Sequence, residues 1–200
     1  MNVKARKMAG FSFLLCIGII CTMLFYYQYM KKEPKLESKV PATEVGKLLT
    51  KDLVEGYPST PMAAIKEYCR YMQCIYKNEL TQENLSKMVD KIQMFYAKDF
   101  LAVNPKEQQL AKLQAELKKF SSDHRAIVNY TVVNSEGVKY QNIQGKSCAL
   151  VQTSFLMTEK KGYSKSFQNY ILVKESEKWK ILGFKQVKTA SIKPSSEEEK

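Results

Sequence analysis

CALVQTSFLMTEKKGYSKSFQNYILVKESEKWKILGFKQVK, from Cys148 to Lys188, decides the fold of this chain. Cys148 to Thr158 is rich in strand-forming side chains, and Glu159-Lys160-Lys161-Gly162 is a hairpin turn. Tyr163 to Lys174 repeats the strand pattern. Glu175-Ser176-Glu177 then leads into Lys178 to Lys188. Turns this short join neighbouring antiparallel strands, because a parallel return needs a crossover of a dozen residues or more. Just upstream, Ala126 to Val133 and Val138 to Ile143 read as two further strands. Ser135-Glu136-Gly137 and Gly145 mark turns. The second half of the chain is therefore expected to be a curved antiparallel meander.

The grammar before Ala126 is helical. Thr43 is placed to cap a helix from Glu44 to about Glu55, with Val45, Leu48, Leu49, Leu53 and Val54 as its stripe and Gly56 as its stop. Thr60 and Pro61 open a second helix. Ile65, Tyr68, Cys69, Met72, Ile75 and Tyr76 recur along it at three- and four-residue spacing. Thr81 caps a third, with Leu80 and Leu85 set as a hydrophobic staple. Its face runs on through Met88, Val89, Ile92, Phe95 and Tyr96, with Phe100 and Leu101 following. Asn104-Pro105 starts a fourth, with Glu107 placed to reach back to the cap and Leu110, Leu113, Leu117 and Phe120 on its stripe. Helices first and strands second make an α+β domain. The expected core is Ile65, Tyr68, Met72, Leu85, Ile92, Phe95, Leu113, Leu117, Trp179 and Ile181.

The N-terminal region follows a different rule. Met8 to Met30 contains no charged side chain and is flanked by Lys4, Arg6 and Lys7 on one side and Lys31, Lys32 and Lys35 on the other. An uncharged, largely apolar run of about 20 residues is long enough to cross a bilayer as a helix. Its end is bulky, with Phe25, Tyr26, Tyr27 and Tyr29 where a cleaved signal peptide carries small residues. The anchor residues are Met8, Phe11, Leu14, Leu15, Ile19, Ile20, Leu24, Phe25, Tyr26 and Tyr27. The expected organisation is a tail at 1–7, a transmembrane helix at 8–30, a linker at 31–42, one domain at 43–188 and a disordered tail at 189–200. Flanking basic residues are nearly balanced. The short N-terminal tail favours a cytoplasmic N-terminus and an extracytoplasmic C-terminal domain. A cytoplasm-facing tether reading lipid is the alternative.

The chain has 200 residues, 44% of them hydrophobic, and a net charge of +12 from 32 basic and 20 acidic side chains. The positive charge is scattered rather than gathered in a stripe, and no nucleic-acid-binding motif accompanies it. A membrane or other anionic surface accounts for it instead. Cys16 and Cys21 fall in the anchor. Cys69 and Cys74 sit on separate sides of one helix and should not pair with each other. Cys148 either bridges to one of them or all three are buried thiols acting as small apolar side chains. No short Cys or His spacing of the kind that holds a metal is present.

The order of helices and meander, closing on EKWKILGF (Glu177 to Phe184), resembles the nuclear transport factor two-like superfamily. Three stretches, YPSTPMAAIKEYCRYMQCIYKNELT (Tyr57 to Thr81), FLAVNPKEQQLAKLQAEL (Phe100 to Leu117) and GYSKSFQNYILVKESEKWKILGF (Gly162 to Phe184), are similar to an uncharacterised family of membrane-anchored proteins of Gram-positive gut bacteria. The superfamily resemblance implies a cone with a pocket at its open end and a sheet face that often dimerises. It implies no single activity, because the fold hosts enzymes, ligand binders and assembly factors.

No catalytic residue, cofactor or metal is expected. Asp90, Asp99 and His124 are the nearest acid–base candidates, and all three fit surface or capping roles. Tyr130, Tyr140, Tyr163 and Tyr170 are the candidate ligand-binding residues, as tyrosines with an apolar body and a polar tip. Gln152, Ser154, Ser166 and Gln168 make either a polar pocket or a wet outer face. The expected role is a membrane-anchored, non-catalytic binding or assembly module. Its expected partners are the bilayer and a protein or a second copy at the sheet face, not nucleic acid. A pocket enzyme of isomerase, dehydratase or hydrolase type is the alternative.

Overall fold

The computed structural model of the protein describes residues 43–192. The expected membrane span, linker, N-terminal tail, Cys16 and Cys21 lie outside the described residues. Among the described residues no helix is long and apolar enough to cross a membrane.

The described chain is α+β, with five helices followed by an antiparallel sheet. The helices are α1 (Glu44–Thr50), α2 (Pro61–Lys77), α3 (Gln82–Gln93), α4 (Lys98–Ala102) and α5 (Lys106–Ser122). Thr43, Thr60 and Thr81 each accept a backbone N–H at the start of α1, α2 and α3. Each threonine thereby satisfies one of the donors that a helix leaves unpaired in its first turn.

Two helices end earlier than the apolar pattern suggests. α1 stops at Thr50 rather than Glu55. The Thr50 hydroxyl turns back onto the carbonyl of Gly46, and the Asp52 carboxylate accepts from the N–H groups of Val54 and Glu55. These local bonds replace the next helical turn. They bury Leu53 and leave Val54 exposed, so Val54 is not part of the stripe. α3 stops at Gln93 because the backbone of Phe95 and Ala97 pairs with Ile181 instead. α5 starts after Pro105, with no side-chain cap. The Asn104 amide donates to the Phe100 carbonyl rather than capping α5.

The strands are β1 (Ile127–Val132), β2 (Lys139–Ile143), β3 (Lys146–Glu159), β4 (Gly162–Glu175) and β5 (Lys178–Ile192). β3, β4 and β5 form the expected meander. β1 and β2 do not form a hairpin with each other. β1 pairs with the second half of β3 and β2 with its first half, so they make one edge strand broken by a 3₁₀ turn at Ser135–Gly137. The Asn134 side chain closes that turn through the Gly137 N–H, and the chain keeps its direction. A two-residue reversal would need positive φ, which neither Ser135, Glu136 nor Gly137 adopts. β5 continues to Ile192, opposite Tyr163, so the strand takes in residues expected to belong to the tail. Lys193 to Lys200 lie outside the described residues.

The inward face of the sheet follows the two-residue alternation through Val151, Thr153, Phe155 and Met157 of β3 and their partners Tyr170, Gln168, Ser166 and Ser164 of β4. Helix α2 covers this face, α3 packs on α1, α2 and α5, and Ile65, Tyr68, Leu85, Ile92, Phe95, Leu113, Trp179 and Ile181 are buried in the resulting core. Met72 and Leu117 are half-buried at the margin. Cys69, Cys74 and Cys148 are buried free thiols, so no disulfide joins them.

The β4–β5 turn is Ser176-Glu177, with φ of 46° and 63°. Both residues occupy the left-handed region, which disfavours residues other than glycine and asparagine. Replacing the pair by Asn-Gly (Ser176→Asn with Glu177→Gly) is expected to stabilise the fold by about 1 kcal/mol, relief of left-handed strain outweighing a surface ion pair. Urea denaturation of the native chain and the double variant checks this, and a lower midpoint in the variant contradicts it.

Candidate functional site

The inward positions of β4 are unusual for a core strand. Ser164, Ser166 and Gln168 stand where large aliphatic side chains would fill the space beneath the helices. α5 lies over this region but buries only Leu113. The result is a cavity of about 510 Å³ between α5 and the sheet. That volume falls in the range of small-molecule sites.

The cavity walls are aromatic. Tyr68 and Tyr76 come from α2, Phe100 from α4, Phe120 from α5, and Phe155, Tyr170 and Phe184 from the sheet. The Tyr170 ring lies 5.6 Å from Tyr68 and 5.4 Å from Phe184. Polar groups among them are uncharged. The Tyr170 hydroxyl donates to Gln168 at 2.5 Å, and Ser166 adds a hydroxyl. Burial pushes the phenols of Tyr68, Tyr170 and Tyr76 above the usual tyrosine range, and Glu116 raises Tyr76 further. They are therefore neutral hydrogen-bonding groups rather than bases at neutral pH.

Charge is confined to the rim. Lys112 and Glu116 are exposed on α5. Arg125 stacks on the Phe120 ring at 4.7 Å and donates to Glu159 at 3.0 Å. Its Nε is buried without a partner. Glu116 is the one carboxylate among the described lining residues.

Of the tyrosines singled out from the sequence, only Tyr170 reaches this cavity. Tyr130 is half-buried on β1, its ring 6.5 Å from Phe155. Tyr140 and Tyr163 are exposed elsewhere on the sheet. Ser166 and Gln168 point inward, whereas Gln152 is exposed and Ser154 lies on the opposite face beside Phe167. Phe167 therefore faces away from the cavity. Tyr68, Tyr76 and Tyr96 were legible only as a helical stripe, because spacing cannot separate a core face from a cavity wall.

The acid–base candidates lie outside the cavity lining. Asp90 pairs with Lys106 at 2.6 Å, and Asp99 faces Lys146 at 3.8 Å on the surface. His124 is exposed just past the end of α5 with φ of 55°. The N–H groups of His124 and Arg125 bond back to Ser121 and Phe120, closing the helix end. His124 also borders a second, open groove of about 650 Å³ with Leu80, Leu85 and Lys118. No cluster of potential metal ligands occurs among the described residues.

This geometry defines an α+β domain with an aromatic cavity under its helical layer. The chain matches the family described as domain of unknown function (DUF6715) over residues 1–184, and it belongs to that family. No curated protein and no solved structure matches it.

Tyr96 ties the helical wall together. Its hydroxyl shares a hydrogen bond with Tyr68 at 3.3 Å and accepts from Gln109 of α5 at 2.8 Å. Tyr96→Phe removes that oxygen and strands both partners, at an expected cost of about 1–3 kcal/mol. Denaturant unfolding measures the loss, and a change within error of zero would show that the network carries no stability.

Proposed function

We propose that this chain is a membrane-anchored, non-catalytic ligand-binding module of the nuclear transport factor two-like class. Residues 8–30 hold it at the cell membrane, and the C-terminal domain is extracytoplasmic. The cavity under α5 takes a flat, largely apolar and uncharged small molecule. The helix-then-meander order and the closing Trp179 strand support the class, and the uncharged run from Met8 to Met30 with its basic flanks supports the anchor.

The observation that carries the ligand reading is the cavity itself, about 510 Å³ with aromatic walls and uncharged hydrogen-bonding groups. Aromatic rings supply contact area to a flat ligand, and Ser166 and Gln168 orient it. A neutral ligand is favoured because buried charges need a partner, and the lining offers charge only at the rim. An enzyme of the isomerase or dehydratase type would need a base deep in the cavity. The one carboxylate among its described lining residues, Glu116, is exposed at the rim on α5 instead. A second reading, a protein partner or second copy on the outer sheet face, is supported by the exposure of Ile143, Tyr163 and Ile171 there.

Ser166 is buried at the cavity wall, so Ser166→Phe fills the space with a ring. A panel of neutral aromatic and alicyclic fragments is expected to raise the melting temperature of the native chain but not of this variant. Binding that survives the filling, or no binding to the native chain, refutes the cavity reading. Location has its own test, which is protease treatment of intact cells carrying a C-terminal epitope tag. Loss of the tag with a cytoplasmic control intact is expected. Cleavage only after the cells are opened would put the domain inside and favour the lipid-reading tether.

A further inference from the structure

A second feature lies at the far edge of the sheet from the cavity. All five residues of β2, Lys139–Ile143, are exposed. Its Tyr140 is 61% exposed although its ring meets Trp179 at 5.9 Å with the planes at 64°. Asn142, Ser147, Lys174 and Trp179 form one row across β2, β3, β4 and β5, and strand alternation puts Tyr140 on the same face. Two aromatic rings from strands separated by two others meet only because the sheet is curved there. The curvature leaves an open hollow of about 420 Å³ lined by Tyr140, Gln141, Asn142, Ser147, Lys174 and Trp179.

The chemistry of this hollow differs from that of the cavity. Most of the Tyr140 ring stays in contact with solvent. Among the described residues, no hydrogen bond engages the side chains of Tyr140, Gln141, Asn142 or Ser147. The one cation, Lys174, is already paired with Glu177 at 2.5 Å. An open aromatic plane beside an uncommitted amide (Asn142) and a hydroxyl (Ser147) suits a ligand with one apolar face and a hydroxyl-rich edge. A pyranose ring has that form. Its axial C–H groups carry partial positive charge toward the electron-rich ring face, and its hydroxyls pair with amides in two-point contacts. A nucleotide or other polyanion fits less well, because its charge would meet a single lysine that is already neutralised.

We infer that the Tyr140–Trp179 hollow is a saccharide site, in which a sugar ring stacks on Tyr140 and is oriented by Asn142 and Ser147. This site shares no residue with the cavity and stands independently of the cavity ligand.

Trp179 is the single tryptophan of the chain, so its fluorescence reports the hollow directly. The full chain, kept in a zwitterionic detergent to avoid sugar headgroups, is titrated with the N-acetylglucosamine trimer, cellohexaose and maltohexaose. At least one is expected to change Trp179 emission saturably. Tyr140→Ala is expected to weaken that binding about tenfold or more, as loss of a central aromatic contact does, and Asn142→Ala to weaken it less. Tyr140→Phe keeps the ring and is expected to bind nearly as the native chain does. Ser166→Phe, in the cavity, should leave the titration unchanged. Absence of any saturable change with all three oligosaccharides overturns the inference. So does equal affinity in Tyr140→Ala.

Discussion

The rest of the structure depends on how three residues, Phe95 to Ala97, leave α3. Their backbone runs beside β5, with the Ile181 N–H donating to the Phe95 carbonyl at 2.6 Å and the Ala97 N–H donating to the Ile181 carbonyl at 2.8 Å. This parallel bridge fastens the helical layer to the last strand. The Phe95 ring is fully buried and packs beside Tyr57, Tyr68 and Tyr71. Tyr96 turns its hydroxyl to Tyr68 and Gln109, so one short segment joins α2, α3, α5 and β5. Neighbouring contacts reinforce it. The Lys180 ammonium donates to the Met94 carbonyl, and the Tyr57 hydroxyl donates to the Trp179 carbonyl at 2.7 Å. Burial and the neighbouring Lys178 lower the Lys180 pKa, so its charge is held by that carbonyl and by the Tyr57 ring 4.2 Å away.

The same arrangement creates the cavity. Once Phe95–Ala97 is committed to β5, α4 packs against that strand with Phe100 beside Phe184, and α5 returns against α3. α5 then contributes one buried leucine, while Leu110, Leu117 and Phe120 pack half-buried at the core margin and Phe120 borders the cavity. A close-packed core would have cost less to build, since each unfilled volume forfeits dispersion contacts on its walls. Here the vacancy coincides with small and polar inward residues on β4, so it is written into the strand rather than left by poor fit. Stability is supplied on either side of it, by the aromatic stack around Phe95 and by the long ladders of β3, β4 and β5.

Much of the architecture was legible from particular residues. Thr60-Pro61 and Thr81 mark helix starts because cap chemistry is local, and the Lys160-Lys161-Gly162 turn marks β3 and β4 because a two-residue loop imposes pairing. Helix ends were less legible. The apolar stripe of α1 runs past Thr50, but the Asp52 carboxylate captures the backbone there. The stripe of α3 runs through Phe95 and Tyr96, and these side chains are indeed buried, though from a turn and a single bridge rather than from the helix. Periodicity reports which side chains seek the core and not the backbone conformation that delivers them. For the same reason β1 and β2 read as successive strands of the meander. A break closed by Asn134 resembles a reversal when only turn-forming residues are visible.

By itself the sequence determined the class of the fold, the three threonine caps and most of the core, because each rests on contacts between residues near in the chain or on simple alternation. It also determined that the polar strand residues and tyrosines were the groups to watch. Only the tertiary structure decided which of them meet. Ser166 and Gln168 face the cavity while Gln152 does not, because the register of β3 against β4 assigns each residue a side. Tyr170 joins Tyr68 and Phe184 while Tyr140 joins Trp179, because those contacts cross strands and layers and depend on the curvature of the sheet. Register and curvature are collective properties of the folded chain, and no short stretch of residues encodes them.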